Sequence, residues 1–123
     1  MQAFWPIARC ARAAAFALAK RGRIAYSFET ISRVVRACYE EIAGVLRGLL
    51  IRLDDRLPGK DVTLIAEFID ANELGLAVEQ IADVLAEDEQ PLAADERADM
   101  LALVDRMQMG DRVRRVLSFC PER

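Results

Sequence analysis

The sequence predicts an all-α fold, a small bundle of about five to six helices organised around one long central helix. Three observations predict it. Apolar residues recur at spacings of three and four along most of the chain, the period at which they share one side of a helix. Aromatics make up only 7% and Ala, Leu, Ile, Val, Glu and Arg dominate, which favours helix over the β-branched and aromatic mixture of strands. A chain of 123 residues with 54% hydrophobic content is also the right size for one domain with a real core.

The first 27 residues stand apart, as a basic helix or extension ahead of a helical domain spanning 28–123. Ile7 to Lys20 is Ala-rich and helix-permissive, and Gly22 stops it after Lys20 and Arg21. Arg9 and Arg12 interrupt its front and its apolar run is short, unlike a signal peptide or a bilayer span. Three readings stay open: a first helix packed on the domain, a basic helix at a membrane surface, or an upstream extension of the natural start.

The clearest period follows. Ile31, Val34, Val35, Cys38, Ile42, Val45, Leu46, Leu49 and Leu53 form one stripe of a helix from about Phe28 to Arg56, with Arg33, Arg36, Glu40 and Arg47 on the other side. At ~1.5 Å per residue this spine is roughly 40 Å long. Gly44 and Gly48 make a GxxxG spacing, which outside a membrane more often marks close helix packing, or nothing, than a dimer motif.

Leu57-Pro58-Gly59-Lys60 reads as a turn, after which Asp61 caps or charges a helix over 62–71 with Val62, Ile65, Phe68 and Ile69 inward. Asn72 stops it. The next helix, Glu73 to Glu87, places Leu74, Ala77, Val78, Ile81 and Leu85 inside and Glu79, Asp83 and Glu87 outside. Pro91 marks a loop over 88–94. A helix over 94–107 turns Leu101, Val104, Met100, Leu103 and Met107 inward, and its early Asp95, Glu96 and Asp99 suit the positive end of the helix dipole. Gly110 breaks the pattern, and a short helix over 111–119 ends before Pro121.

Charge is unevenly spread. Residues 1–52 carry nine Lys/Arg against three Asp/Glu, and residues 53–123 eight against seventeen. Within residues 61–105, thirteen acids face the single Arg97, an excess that chain neighbours cannot cancel. Helical surfaces ordinarily mix both signs, so a nearly single-signed stretch on three successive helices points to steering of a basic partner and repels nucleic acid.

Enzyme chemistry finds little support. With no histidine in the chain, Ser/His/Asp and Cys/His catalysis and the common zinc-hydrolase sites are excluded. Asp54-Asp55 and Glu87-Asp88-Glu89 lack the alternating ligand spacing of a calcium loop, and Gly59-Lys60 lacks the rest of a phosphate loop. Cys10, Cys38 and Cys120 are too scattered for a zinc site and read as reduced thiols, hence a cytoplasmic chain. No catalytic residue, cofactor or metal is expected.

The stretch EFIDANELGLAVEQIADVLAED, Glu67 to Asp88, resembles the MafI family of immunity proteins. The matching features are Phe68-Ile69, the acid before Leu-Gly-Leu-Ala over Glu73 to Ala77, Glu79, and an apolar helix ending in acids before Pro91. The resemblance extends over residues 45–109. It implies an all-helical inhibitor that neutralises a cognate polymorphic or contact-dependent toxin, often a nuclease, in a 1:1 complex.

The expected function is therefore that of an immunity protein whose acidic helical face binds a toxin with a basic surface, with neither nucleic acid nor membrane as partner. The expected contacts are Glu67, Asp70, Glu73, Leu76, Glu79, Asp83 and Glu87, while Leu74 is either an apolar anchor or, by its spacing, core. The alternative is a helical interaction or adaptor module, homodimeric through the long helix, with no toxin. An enzyme using carboxylates ranks third.

Overall fold

The structure, a computed structural model, describes residues 28–123; the expected N-terminal helix or extension and Cys10 lie outside the described residues. Five helices follow one another there: α1 (Phe28–Arg52), α2 (Gly59–Asp70), α3 (Leu74–Glu87), α4 (Ala94–Met107) and α5 (Arg112–Leu117). The all-α bundle expected from the periodicity is the fold. At 25 residues α1 is the long element, and α3 is the one that packs against all four others.

That central position explains the composition of α3. A helix covered on several sides needs apolar residues around most of its circumference, and Leu74, Gly75, Ala77, Val78, Ile81, Ala82, Val84 and Leu85 are all buried. Leu74 is fully enclosed and belongs to the core, not to a binding surface. Only Leu76, Glu79, Gln80, Asp83, Ala86 and Glu87 remain, a single solvent-facing stripe.

α1 contributes Ile42, Leu46 and Leu49 to the core, but it stops at Arg52 instead of reaching Arg56. Leu53 N–H still reaches the Leu49 carbonyl at 2.9 Å, whereas Arg56 N–H takes the nearer Leu53 carbonyl, so the chain tightens into turns. Pro58 disfavours helix at the residue before it. Val45, expected on the inner stripe, is 39% exposed. It lies about 100° around the helix from Leu46, at the edge of the buried arc. Gly44 and Gly48 do not mark close packing either: both are exposed, and a Cβ on either would meet nothing within 4 Å.

α2 begins at Gly59, with Pro58 as N-cap, so Asp61 is not the cap; it sits in the first turn, where its Oδ1 accepts from Gln80 Nε2 of α3 at 3.2 Å. Ile65 and Ile69 are buried, while Val62 and Phe68 pack at the margin. In α4 the buried apolar residues are Met100, Leu103, Val104 and Met107; Leu101, expected inward, is only half-buried. Val113 and Leu117 of α5 close the core.

α2, α3 and α4 end the same way. Asn72, Glu89 and Gln108 take positive φ angles of 60°, 49° and 51°. The next residues donate back across the turn, Glu73 to the Phe68 carbonyl, Gln90 to Leu85 and Met109 to Val104, which is the Schellman stop. Beyond α5, Arg97 reaches over from α4 and donates to the Leu117 and Cys120 carbonyls at 2.6 and 2.8 Å, satisfying the open end of that helix. Leu92 and Glu122 then form a parallel bridge, with Leu92 N–H to the Pro121 carbonyl at 2.9 Å and Arg123 N–H to the Leu92 carbonyl at 3.0 Å.

One polar pair lies inside this apolar frame. Arg56 and Glu96 have side chains only 6% exposed, and the guanidinium donates to both carboxylate oxygens, at 2.6 and 2.7 Å. Arg56 also donates to the Pro91 and Arg52 carbonyls and to Asp55 Oδ1. Glu96, at the third position of α4, accepts from the Ala93 backbone N–H at 2.9 Å, the carboxylate half of a capping box. Glu96 was expected among the surface acids that favour the dipole; it is instead the buried anion of the fold. The guanidinium holds its carboxyl down to about 2, and the carboxylate raises the guanidinium in turn.

Three outcomes follow from this packing. A carboxylate whose folded pKa lies below the ordinary 4.5 stabilises fully above that value and stops doing so as pH falls toward about 2. Unfolding free energy should therefore decline on acidification through that window, and Glu96→Gln should flatten part of the decline. At neutral pH Glu96→Gln, which strands the buried Arg56, should cost about 3–5 kcal/mol in urea denaturation, and the double Arg56→Met/Glu96→Leu change should cost less than either single one. Gly44→Ala and Gly48→Ala should each raise stability by about 1 kcal/mol, because both occupy exposed helix interior with open space.

Candidate protein-binding surface

The thirteen acids of residues 61–105 are where the structure alters the picture most. Arginines from outside that segment fold onto it: Arg47 pairs with Asp70 at 3.0 Å, Arg112 with Asp83 at 3.0 Å, and Arg52 with Asp95 and Asp99. Arg56 takes Glu96, and Arg114 takes Asp105. Every acid on α4 is thus paired, and the expected face over three helices contracts to α2 and α3. The segment's own Arg97 is committed to backbone carbonyls.

What remains lies on α2, along α3 and in the turn after it. Asp61, Glu67, Glu73, Glu79, Glu87, Asp88 and Glu89 form no ion pair among the described residues, Asp61 accepting only from Gln80. Glu67 lies exposed on α2, Glu73 caps the start of α3 half-buried, and Glu79 and Glu87 follow along the outer stripe of α3. Asp83 shares that stripe, but its carboxylate is held by Arg112 of α5. Leu76 is half-buried at the head of the stripe, the one large apolar side chain on it. Asp70 is drawn toward α1 by Arg47, so of the expected contacts Leu76, Glu79, Asp83 and Glu87 share one face, whereas Asp70 belongs to the α1–α2 edge.

The acidic end of α3 runs against local electrostatics. Glu87, Asp88 and Glu89 sit where the helix dipole is negative, and the last turn holds no basic residue. Charges of that sign cost about 0.3–1 kcal/mol there, set against a gain at an N-terminus. Asp88 and Glu89 were not among the expected contacts, although their run with Glu87 was visible.

The signal for the buried pair was also present. Arg56 continues the α1 stripe after Leu49 and Leu53, and Glu96 opens the stripe Met100, Leu103, Met107. A cation and an anion each falling on an inward stripe predict one another. No local pattern announces Arg47 with Asp70 or Arg112 with Asp83, because those partners meet only when helices pack.

Other chemistry is sparse. Among the described residues no group of three or more His, Cys, Asp and Glu could hold a metal ion, and no helix is long and apolar enough to cross a membrane. Cys38 and Cys120 are free thiols; burial pushes the Cys120 thiol up, and Cys38 Sγ lies 3.8 Å from Arg106 Nη2. Arg106 also binds Glu41 and holds its carboxyl below the usual range. Phe119 and Ile51, each 72% exposed, are the large apolar side chains most open to solvent among the described residues.

The surface thus offers an acidic stripe on α2 and α3, fixed by a buried helix and bordered by arginine-neutralised acids. Compared with protein-family models, with curated proteins and with solved structures, the chain gives no match.

Proposed function

We propose that the chain is an immunity protein: a cytoplasmic, non-enzymatic inhibitor that binds a cognate bacterial toxin, a nuclease by expectation, and blocks access to its substrate. The observation that carries this reading is the set of acids left unpaired on α2 and α3 after five arginines have neutralised the others. A protein able to recruit remote arginines onto half of its acidic segment, yet keeping Glu67, Glu79 and Glu87 open, holds a negative potential suited to a basic partner surface. The resemblance of Glu67 to Asp88 to the MafI family supports the same reading, since this stretch supplies the end of α2 and all of α3. In the proposed complex Glu67, Glu73, Glu79 and Glu87 steer the encounter, Asp70 and Asp83, held by Arg47 and Arg112, lie at the contact without adding to the field, and Leu76 anchors it.

A second reading, a homodimeric adaptor without a toxin, is favoured by the outer side of α1, where Gly44, Gly48 and Ile51 lie exposed. Sedimentation of the purified chain separates the two: a monomer that binds a toxin at 1:1 supports immunity, and a stable dimer without one supports the adaptor.

The decisive test begins by isolating the partner from the producing cell and measuring association by stopped flow. Glu67→Lys, Glu79→Lys and Glu87→Lys together should slow association at low salt by about tenfold or more while leaving the thermal midpoint nearly unchanged. Rising ionic strength should slow the unmodified chain in the same direction, as the Debye length shrinks to about 8 Å. An association rate indifferent to both would remove the acidic stripe from the mechanism.

A further inference from the structure

We propose that Pro121–Arg123 form a strap that sets the acidic turn at the end of α3, so that strap and turn open and close as one unit. The loop between α3 and α4 is held at three consecutive residues by three separate parts of the chain. The Pro91 carbonyl accepts from Arg56 Nη1 at 3.0 Å. Leu92, fully buried, both donates to the Pro121 carbonyl and accepts from Arg123 N–H. Ala93 N–H donates to Glu96.

Two of these clamps are rooted in the core, since Arg56 and Glu96 are the buried pair. The strap is different. Its root is fixed where Arg97 binds the Cys120 carbonyl, but Pro121, Glu122 and Arg123 are themselves exposed and reach the loop through two backbone hydrogen bonds. Short exposed pairings of this kind occupy the low end of local stability. The turn it borders is also costly: Glu89 is a non-glycine residue at a φ of 49°, held by the Gln90 N–H bond to the Leu85 carbonyl at 2.9 Å. Arg56 still holds Pro91 when Leu92 is released, so the strap is the second of two anchors beside the turn, and its loss removes that share of the restraint on Asp88 and Glu89. The consequence for binding rests on the immunity reading: a basic partner gripping the turn in its closed form holds the strap shut.

The test needs no partner, so its failure is distinct from failure of the functional reading. Arg123→Pro removes the N–H that reaches Leu92, whereas Arg123→Ala removes the charge and keeps the bond. Amide hydrogen exchange on the full chain should accelerate about tenfold or more at both Leu92 and Gln90 in the Pro variant, with Ile81 in the core unaffected, and stay near the parent rates in the Ala variant. Acceleration at Leu92 without Gln90 would overturn the coupling, as would no acceleration or equal effects of both substitutions. Global unfolding of the Pro variant would overturn it as well, because strap and turn would then be inseparable from the core.

Discussion

Removing a guanidinium and a carboxylate from water is costly unless their geometry returns the loss, and the Arg56–Glu96 pair meets that demand by engaging almost every polar atom it has. Two carboxylate oxygens, two backbone carbonyls, Asp55 and the Ala93 N–H all converge on it. In doing so it joins the end of α1, the α3–α4 loop and the first turn of α4. Hydrophobic contact would hold these elements together but is non-directional; the bidentate pair and its satellites admit one arrangement. The early end of α1, the position of Pro91 and the start of α4 are all consistent with that single requirement.

The arginines at the surface act differently. Arg47, Arg52, Arg112 and Arg114 are exposed, and pairs of this kind contribute about 0–1 kcal/mol each. Their effect lies in the field, not in stability. By cancelling Asp70, Asp83 and the exposed acids of α4, they leave the uncompensated negative charge of residues 61–105 on α2, α3 and the turn after it. A surface that began as an acidic segment of sequence becomes, through these pairs, a directional feature of the molecule.

α3 connects the two levels. Because it packs on all its neighbours, its position is defined by the core, and only one narrow stripe is left for solvent. Side chains on that stripe are therefore presented by a rigid element, which suits recognition. The acids that follow it, beyond the C-terminal end, depend instead on a left-handed turn and on the loop clamps, so the stripe and the turn are placed by different interactions although they adjoin in sequence.

Periodicity determined the five described helices and most of the core, because burial along a helix repeats every three to four residues and neighbouring residues report it, while residue type alone marked the turn at Pro58 and the stop at Asn72. The overall charge asymmetry was equally open to reading. Helix ends slipped where the deciding partner was remote: α1 stops at Arg52 with Arg56 drawn inward, and α2 starts at Gly59 without help from Asp61. The acidic surface was legible as composition but not as a field. Asp70 and Asp83 are neutralised by Arg47 and Arg112, residues 23 and 29 positions away, and Glu96 is buried by Arg56, 40 positions away. Inward spacing marks Arg56 and Glu96 as buried, but Coulombic attraction depends on distance through space, which only the packed helices set; for the exposed pairs the linear order of charges carries no record of it.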